Sequence, residues 1–226
     1  MLLTALLFVI FFACAVVLYQ EGLWGNLIHL VNVTTAALLA TNLFEPVARW
    51  LEGWQPTYSY VWDFLAVWLV FIVAMAILRT VTDLISRVKV RFLKIVDRIG
   101  SGVLAAWVGW VMAIFTAFTL HTAPLGREFL NGSFVPEERA ESGVELYWLG
   151  FTQQLSQGSL ARGLSKQEQQ TAAYGRREGA EPWQQRLAVF DRQGHFIPKY
   201  ATRRARLQAY ARQHDAIRVR EEHLLK

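Results

Sequence analysis

The sequence is 226 residues long, 54% hydrophobic and 18% charged, and it contains four stretches, 2–19, 27–44, 64–78 and 99–126, without Asp, Glu, Lys or Arg. Each is near or above the roughly 17–25 residues with which a helix crosses a bilayer, which excludes an ordinary soluble domain over the first half. The formal charge of +5 averages unlike halves, since residues 127–226 hold 16 of the 23 Lys and Arg, and by itself it designates neither nucleic acid nor lipid as partner.

The first stretch reads as a retained transmembrane helix. No basic n-region precedes it, and the apolar run continues past Ala13-Cys14-Ala15 to Tyr19, unlike a cleaved leader. Cys14 is the one cysteine, so no intramolecular disulfide can form. The second stretch is the most polar: His29, Asn32, Thr35 and Asn42 share less than half of a helical circumference. They could line a water-filled path or bond to adjacent helices. The second reading is favoured, because no acidic or basic residue sits in mid-membrane as a proton relay needs.

Residues 45–63 carry Arg49 against three acids, with Trp50, Trp54, Tyr58, Tyr60 and Trp62, rings that settle at headgroup level. The third stretch is the shortest and gains length if Asp63 and Arg79 lie at the two interfaces. Residues 79–98 carry six Lys or Arg and two Asp, which assigns that loop to the cytoplasm. With four crossings, both termini and the aromatic loop lie on the opposite face. Val81, Leu84 or Ile85, Val88, Phe92, Ile95 and Ile99 recur at helical spacing, and Arg87, Arg91, Lys94 and Arg98 form a second stripe. That pattern predicts an interfacial basic helix touching anionic headgroups, or an extension of the third helix. The fourth stretch repeats Ser101, Ala105, Gly109, Ala113 and Ala117 every four residues, with Gly102 widening the strip. Small residues so spaced let helices approach closely, leaving Trp107, Trp110, Phe115 and Phe118 to fill gaps or face lipid.

Two motif matches carry no chemistry. Gly100-Ser101-Gly102-Val103-Leu104-Ala105 fits the dinucleotide-binding pattern but opens a membrane helix instead of following a strand. Ser86-Arg87-Val88-Lys89 has serine–lysine spacing without its companion motifs. The histidines lack metal-ligand spacing. No catalytic, cofactor or metal site is expected.

Leu93-Lys94-Ile95-Val96-Asp97-Arg98-Ile99-Gly100-Ser101-Gly102-Val103-Leu104-Ala105 resembles the Asp-Arg signature that opens the last helix of the CvpA-like, or colicin V production, membrane proteins. Glu21-Gly22-Leu23-Trp24-Gly25-Asn26-Leu27-Ile28 is similar to that family's glycine-containing turn. Ser101 and Ala105 stand where the family usually has glycine, and Trp24 where it usually has a basic residue. The likeness covers about residues 1–125. It implies a bacterial inner-membrane protein linked to toxin production and envelope function. Asp97 and Arg98, at the cytoplasmic end of the fourth helix, are read as an interfacial ion pair in preference to a gating role. Some relatives join the unit to an extracytoplasmic serine protease, whose motifs this tail lacks.

Residues 127–143 read as a linker. Leu146, Tyr147, Trp148, Leu149, Phe151 and Leu155 form an apolar segment too short to span, placed on the outer membrane-facing surface or capping the bundle. Residues 156–181 read as flexible. Residues 187–197 read as a short β-hairpin about Gly194, and 200–226 as an arginine-rich helix. The sequence therefore predicts an all-α membrane protein: a four-helix unit over 1–126, an interfacial basic helix, and a basic extracytoplasmic tail over 127–226. The expected function is a non-enzymatic scaffold whose tail meets an envelope protein; the alternative is a homo-oligomeric channel or transporter subunit using the polar face of the second helix. With the tail exported, nucleic acid is not an expected partner.

Overall fold

The computed structural model describes residues 2–55, 59–86, 93–125, 143–157, 196–206 and 209, and the described backbone contains helices and no strand. The main elements are α1 (Leu2–Leu18), a 3₁₀ turn (Tyr19–Glu21), α2 (Gly22–Trp54), α3 (Ser59–Ile85), α4 (Lys94–Thr122) and α5 (Glu145–Gln157). A further short helix covers 196–206.

Among the described residues, three helical runs are long and apolar enough to cross a membrane: Leu2–Trp54, Val61–Ile85 and Lys94–Thr122. The first run holds two of the four charge-free stretches, and it reverses direction within itself. Along α4, Tyr19 meets Ser101, Phe11 meets Gly109 and Leu3 and Leu7 meet Ala117, so α1 runs antiparallel to α4. Leu23 and Asn26 meet Asp97 and Ser101, at the opposite end of α4 from the Ala117 contacts. The reversal is made at Gly22, whose φ of +80° suits a residue without a side chain.

Burial follows helical periodicity. Val33, Ala36, Ala37, Ala40, Phe44 and Ala48 of α2 pack on Ala66, Val67, Phe71 and Ala74 of α3 and on Val108, Phe115 and Phe118 of α4. Alanines on the α2 face let the backbones approach, and the aromatic rings fill the space left. Phe115 and Phe118 are fully buried, whereas Trp107 and Trp110 stay exposed. Phe8, Phe12 and Val16 of α1, with Leu65, Leu69, Ile72 and Ile77 of α3, face outward. Such a surface suits hydrocarbon, and the chain is a multi-pass membrane protein.

The basic loop is described at its two ends: 79–85 continue α3, in line with its reading as an extension of the third helix, and 94–98 begin α4, because each charged segment extends an apolar helix already formed. The interfacial helix expected between them centres on 87–92. Arg87 and Arg91 lie outside the described residues. Phe196 and Ile197, expected in the second strand of a hairpin, are helical. Phe196, Ile197, Tyr200 and Arg204 are all buried, so packing of one helical face overrides the local strand-like alternation. The rest of that hairpin lies outside the described residues.

Candidate functional site

Polar groups concentrate at the two ends of the bundle. At the end nearest the α1–α2 reversal, the Asp97 carboxylate accepts the Leu23 backbone N–H at 2.9 Å. This places a negative charge on the first turn of α2, where its N–H groups have no partner within the helix. The expected ion pair between Asp97 and Arg98 is not formed; Asp97 is turned to α2, and Arg98 and Lys94 are exposed. Asn26, fully buried, donates to the Ser101 carbonyl and hydroxyl at 3.1 and 2.8 Å, and Ser101 Oγ donates to the Tyr19 carbonyl at 2.8 Å. The elbow is thereby tied to the first turns of α4.

Beside it, α2 meets α3 through a polar seam. Trp24 Nε1 donates to Ser86 Oγ at 2.9 Å, and Asn32 Nδ2 donates to Thr82 Oγ1 at 3.0 Å. Arg79 Nη1 lies 2.8 Å from His29 Nε2; with the guanidinium donating, the acceptor is an unprotonated ring nitrogen. Arg79 also donates to Asp83 at 3.3 Å. Of the four residues proposed from the sequence as a polar face, His29 and Asn32 are brought together against α3. Asn42 instead donates to the Leu38 carbonyl of its own helix at 2.8 Å, and Thr35 is half-buried. Arg79 as partner of His29 was missed because the two are 50 residues apart.

The small-residue strip faces α1. Ser101, Ala105, Gly109, Ala113 and Ala117 are buried and Gly102 is half-buried. A Cβ on Gly109 would lie 2.7 Å from the Phe11 carbonyl oxygen, whereas one on Gly102 would sit 3.5 Å from the Tyr19 ring.

At the other end, α5 and the 196–206 helix close over the bundle. Trp148, 1% exposed, packs edge-on to Phe115 and donates from Nε1 to Thr41 Oγ1 at 3.0 Å. His121 Nε2 and Glu145 Oε1 are 2.7 Å apart with both side chains fully buried, and Arg204 Nη2 donates to the His121 carbonyl at 3.0 Å. Phe196 stacks on Phe118 and meets Phe44 edge-on. Asp63, at the start of α3, accepts from Tyr200 Oη at 3.1 Å and pairs with Arg203. Arg203 also approaches Glu52 at 3.9 Å, and Lys199 Nζ donates to Glu45 Oε1 at 2.9 Å. Burial, reinforced by the Asp63 charge, pushes the Tyr200 phenol above its ordinary value. The sequence reading placed none of these partners, because Glu45 and Lys199 are 154 residues apart and Asp63 and Tyr200 137. The sealed His121–Glu145 pair fastens α5 to α4 and gives a substrate no access. Among the described residues no three His, Cys, Asp or Glu side chains gather as metal ligands.

The family model described as "Colicin V production protein" matches residues 3–137. The chain belongs to the colicin V production family. No curated protein and no solved structure matches it. The family match takes in α1 to α4 and includes Asp97 and the α1–α2 elbow that Asp97 caps. In this member of the colicin V production family, α5 and the 196–206 helix lie beyond the match.

Proposed function

We propose that this colicin V production family protein is a non-enzymatic membrane scaffold that crosses the bacterial inner membrane four times and presents an extracytoplasmic tail. The supporting observation is the burial of Trp148, Phe196 and Tyr200 in the core that α2, α3 and α4 form. A tail fastened in this way transmits a fixed orientation from the bilayer to whatever binds its distal residues. The charge distribution supports the sidedness: cations clustered in 79–98 stay in the cytoplasm, with Arg87, Arg91, Lys94 and Arg98 against anionic headgroups. The family's name supports a role in toxin production, and an envelope protein is the partner proposed for the tail. Ser101, Gly102, Ala105, Gly109, Ala113 and Ala117 are proposed as the packing strip of α4.

The conduit reading, with homo-oligomers using His29, Asn32, Thr35 and Asn42, has less support. His29 and Asn32 spend their polarity on α3 and Asn42 on its own backbone. A colicin V-producing strain lacking its own family member separates the two. In a scaffold, Phe196→Asp should abolish restored toxin production and Asn32→Leu with Asn42→Leu should retain it; a conduit gives the reverse. Labelling of Lys226→Cys by an impermeant thiol reagent on intact cells tests the orientation, and labelling that needs broken cells overturns it.

A further inference from the structure

We propose that α5 is a membrane-embedded helix that enters and leaves the bilayer on one side, with Trp148 and Leu149 against the bundle and Tyr147 and Phe151 against lipid acyl chains. This goes beyond the scaffold reading and does not depend on which side faces the cytoplasm.

Depth comes from a ring contact. Tyr147 lies 6.2 Å from Trp110, centroid to centroid, and Trp110 is an outward-facing residue of α4. At 1.5 Å per residue, Trp110 is about 16 Å along α4 from Ile99 and about 18 Å from Thr122. Tyr147 is therefore alongside the span and not beyond its end. There it is 68% exposed, and Phe151, one turn on, is 41% exposed, so their outward face continues the lipid-facing surface of α4.

Chemistry permits the insertion. Residues 146–157 contain no charged side chain, and the one charge of α5, Glu145, is met by His121. Thirteen residues rise about 20 Å, too short for about 30 Å of hydrocarbon. Both flanks return to one place: Glu145, at the start of α5, contacts His121, and Arg204, well after its end, donates to the His121 carbonyl. The chain therefore does not change sides at α5.

The test is spin labelling of the full chain in phosphatidylethanolamine–phosphatidylglycerol vesicles on a Cys14→Ser background. Tyr147→Cys, Phe151→Cys and Gly150→Cys carry the label, with Lys199→Cys as the aqueous reference. A Cβ at Gly150 meets nothing within 4 Å, so that variant remains informative if an aromatic replacement unfolds. Greater accessibility to oxygen than to a water-soluble nickel chelate at 147, 150 and 151, reversed at 199, is the expected result. Nickel accessibility matching that of position 199 overturns the proposal by placing the face in water. Protection from both reagents also overturns it, by placing a protein there.

Discussion

The indole N–H of Trp148 donates to the Thr41 hydroxyl across 107 residues of sequence, and that hydroxyl in turn donates to the Ala37 carbonyl. The contact fixes α5 in depth and rotation against α2. Thr41→Val leaves a buried indole N–H without its acceptor and should cost about 1–3 kcal/mol. Trp148→Phe should cost a similar amount, from lost packing and the lost bond. Because the two changes remove one interaction, the double variant should lose less than their sum. Thermal unfolding in detergent measures all three, and strict additivity would argue against the coupling.

Asp97 acts on α2 and not on its neighbour Arg98. Asp97→Ala should destabilise by about 0.5–2 kcal/mol, the usual loss of a helix N-terminal cap, while Asp97→Asn keeps an acceptor and should cost less. Arg98→Ala should stay within about 0.5 kcal/mol, as exposed substitutions do. Equal losses for the two alanine variants in an unfolding assay would restore the ion-pair reading.

Close approach of α1 to α4 is tightest at Gly109. Gly109→Ala drives a methyl group toward the Phe11 carbonyl, so the α1 backbone must move, at about 1–3 kcal/mol. Gly102→Ala meets the Tyr19 ring at ordinary contact distance and should be near neutral. A disulfide-trapping assay between α1 and α4 should report wider separation for the first variant alone.

The Tyr200 phenol holds its proton more tightly in the folded protein than in the unfolded chain, through burial and the adjacent Asp63 carboxylate. A raised folded value gives stability that is complete below the unfolded value of about 10 and falls as pH rises beyond it. Unfolding temperatures between about pH 8 and 11 should therefore drop more steeply for the parent than for Tyr200→Phe. Identical slopes would show that the phenol does not carry the effect.

Helical periodicity and charge gaps were legible in the sequence because both are local. The gap over 27–44 lies inside α2, but α2 runs on from Phe44 to Trp54, because Glu45, Arg49 and Glu52 extend a helix that the apolar segment has already nucleated. The every-fourth-residue strip from Ser101 to Ala117 was readable for the same reason. Phe118 was not: a ring on an apolar helix reads equally as lipid-facing or buried, and its stacking on Phe196, far along the chain, has no signal near Phe118 in the sequence. The same limit hid the Asp63 partners, since nothing near Asp63 in sequence announces Tyr200 or Arg203.

The bundle is fastened differently at its two ends. Near the elbow, Asn26, Ser101 and the Tyr19 carbonyl form neutral bonds shielded from solvent. At the far end, Lys199 and Glu45 are 60% and 51% exposed, and Arg203 and Glu52 are about a third exposed. Dissolved ions screen such outlying charges and scarcely touch the enclosed neutral contacts. Raising the ionic strength of the medium therefore slackens the grip on 196–206 more than it does the Asn26–Ser101 contacts at the opposite pole of the molecule.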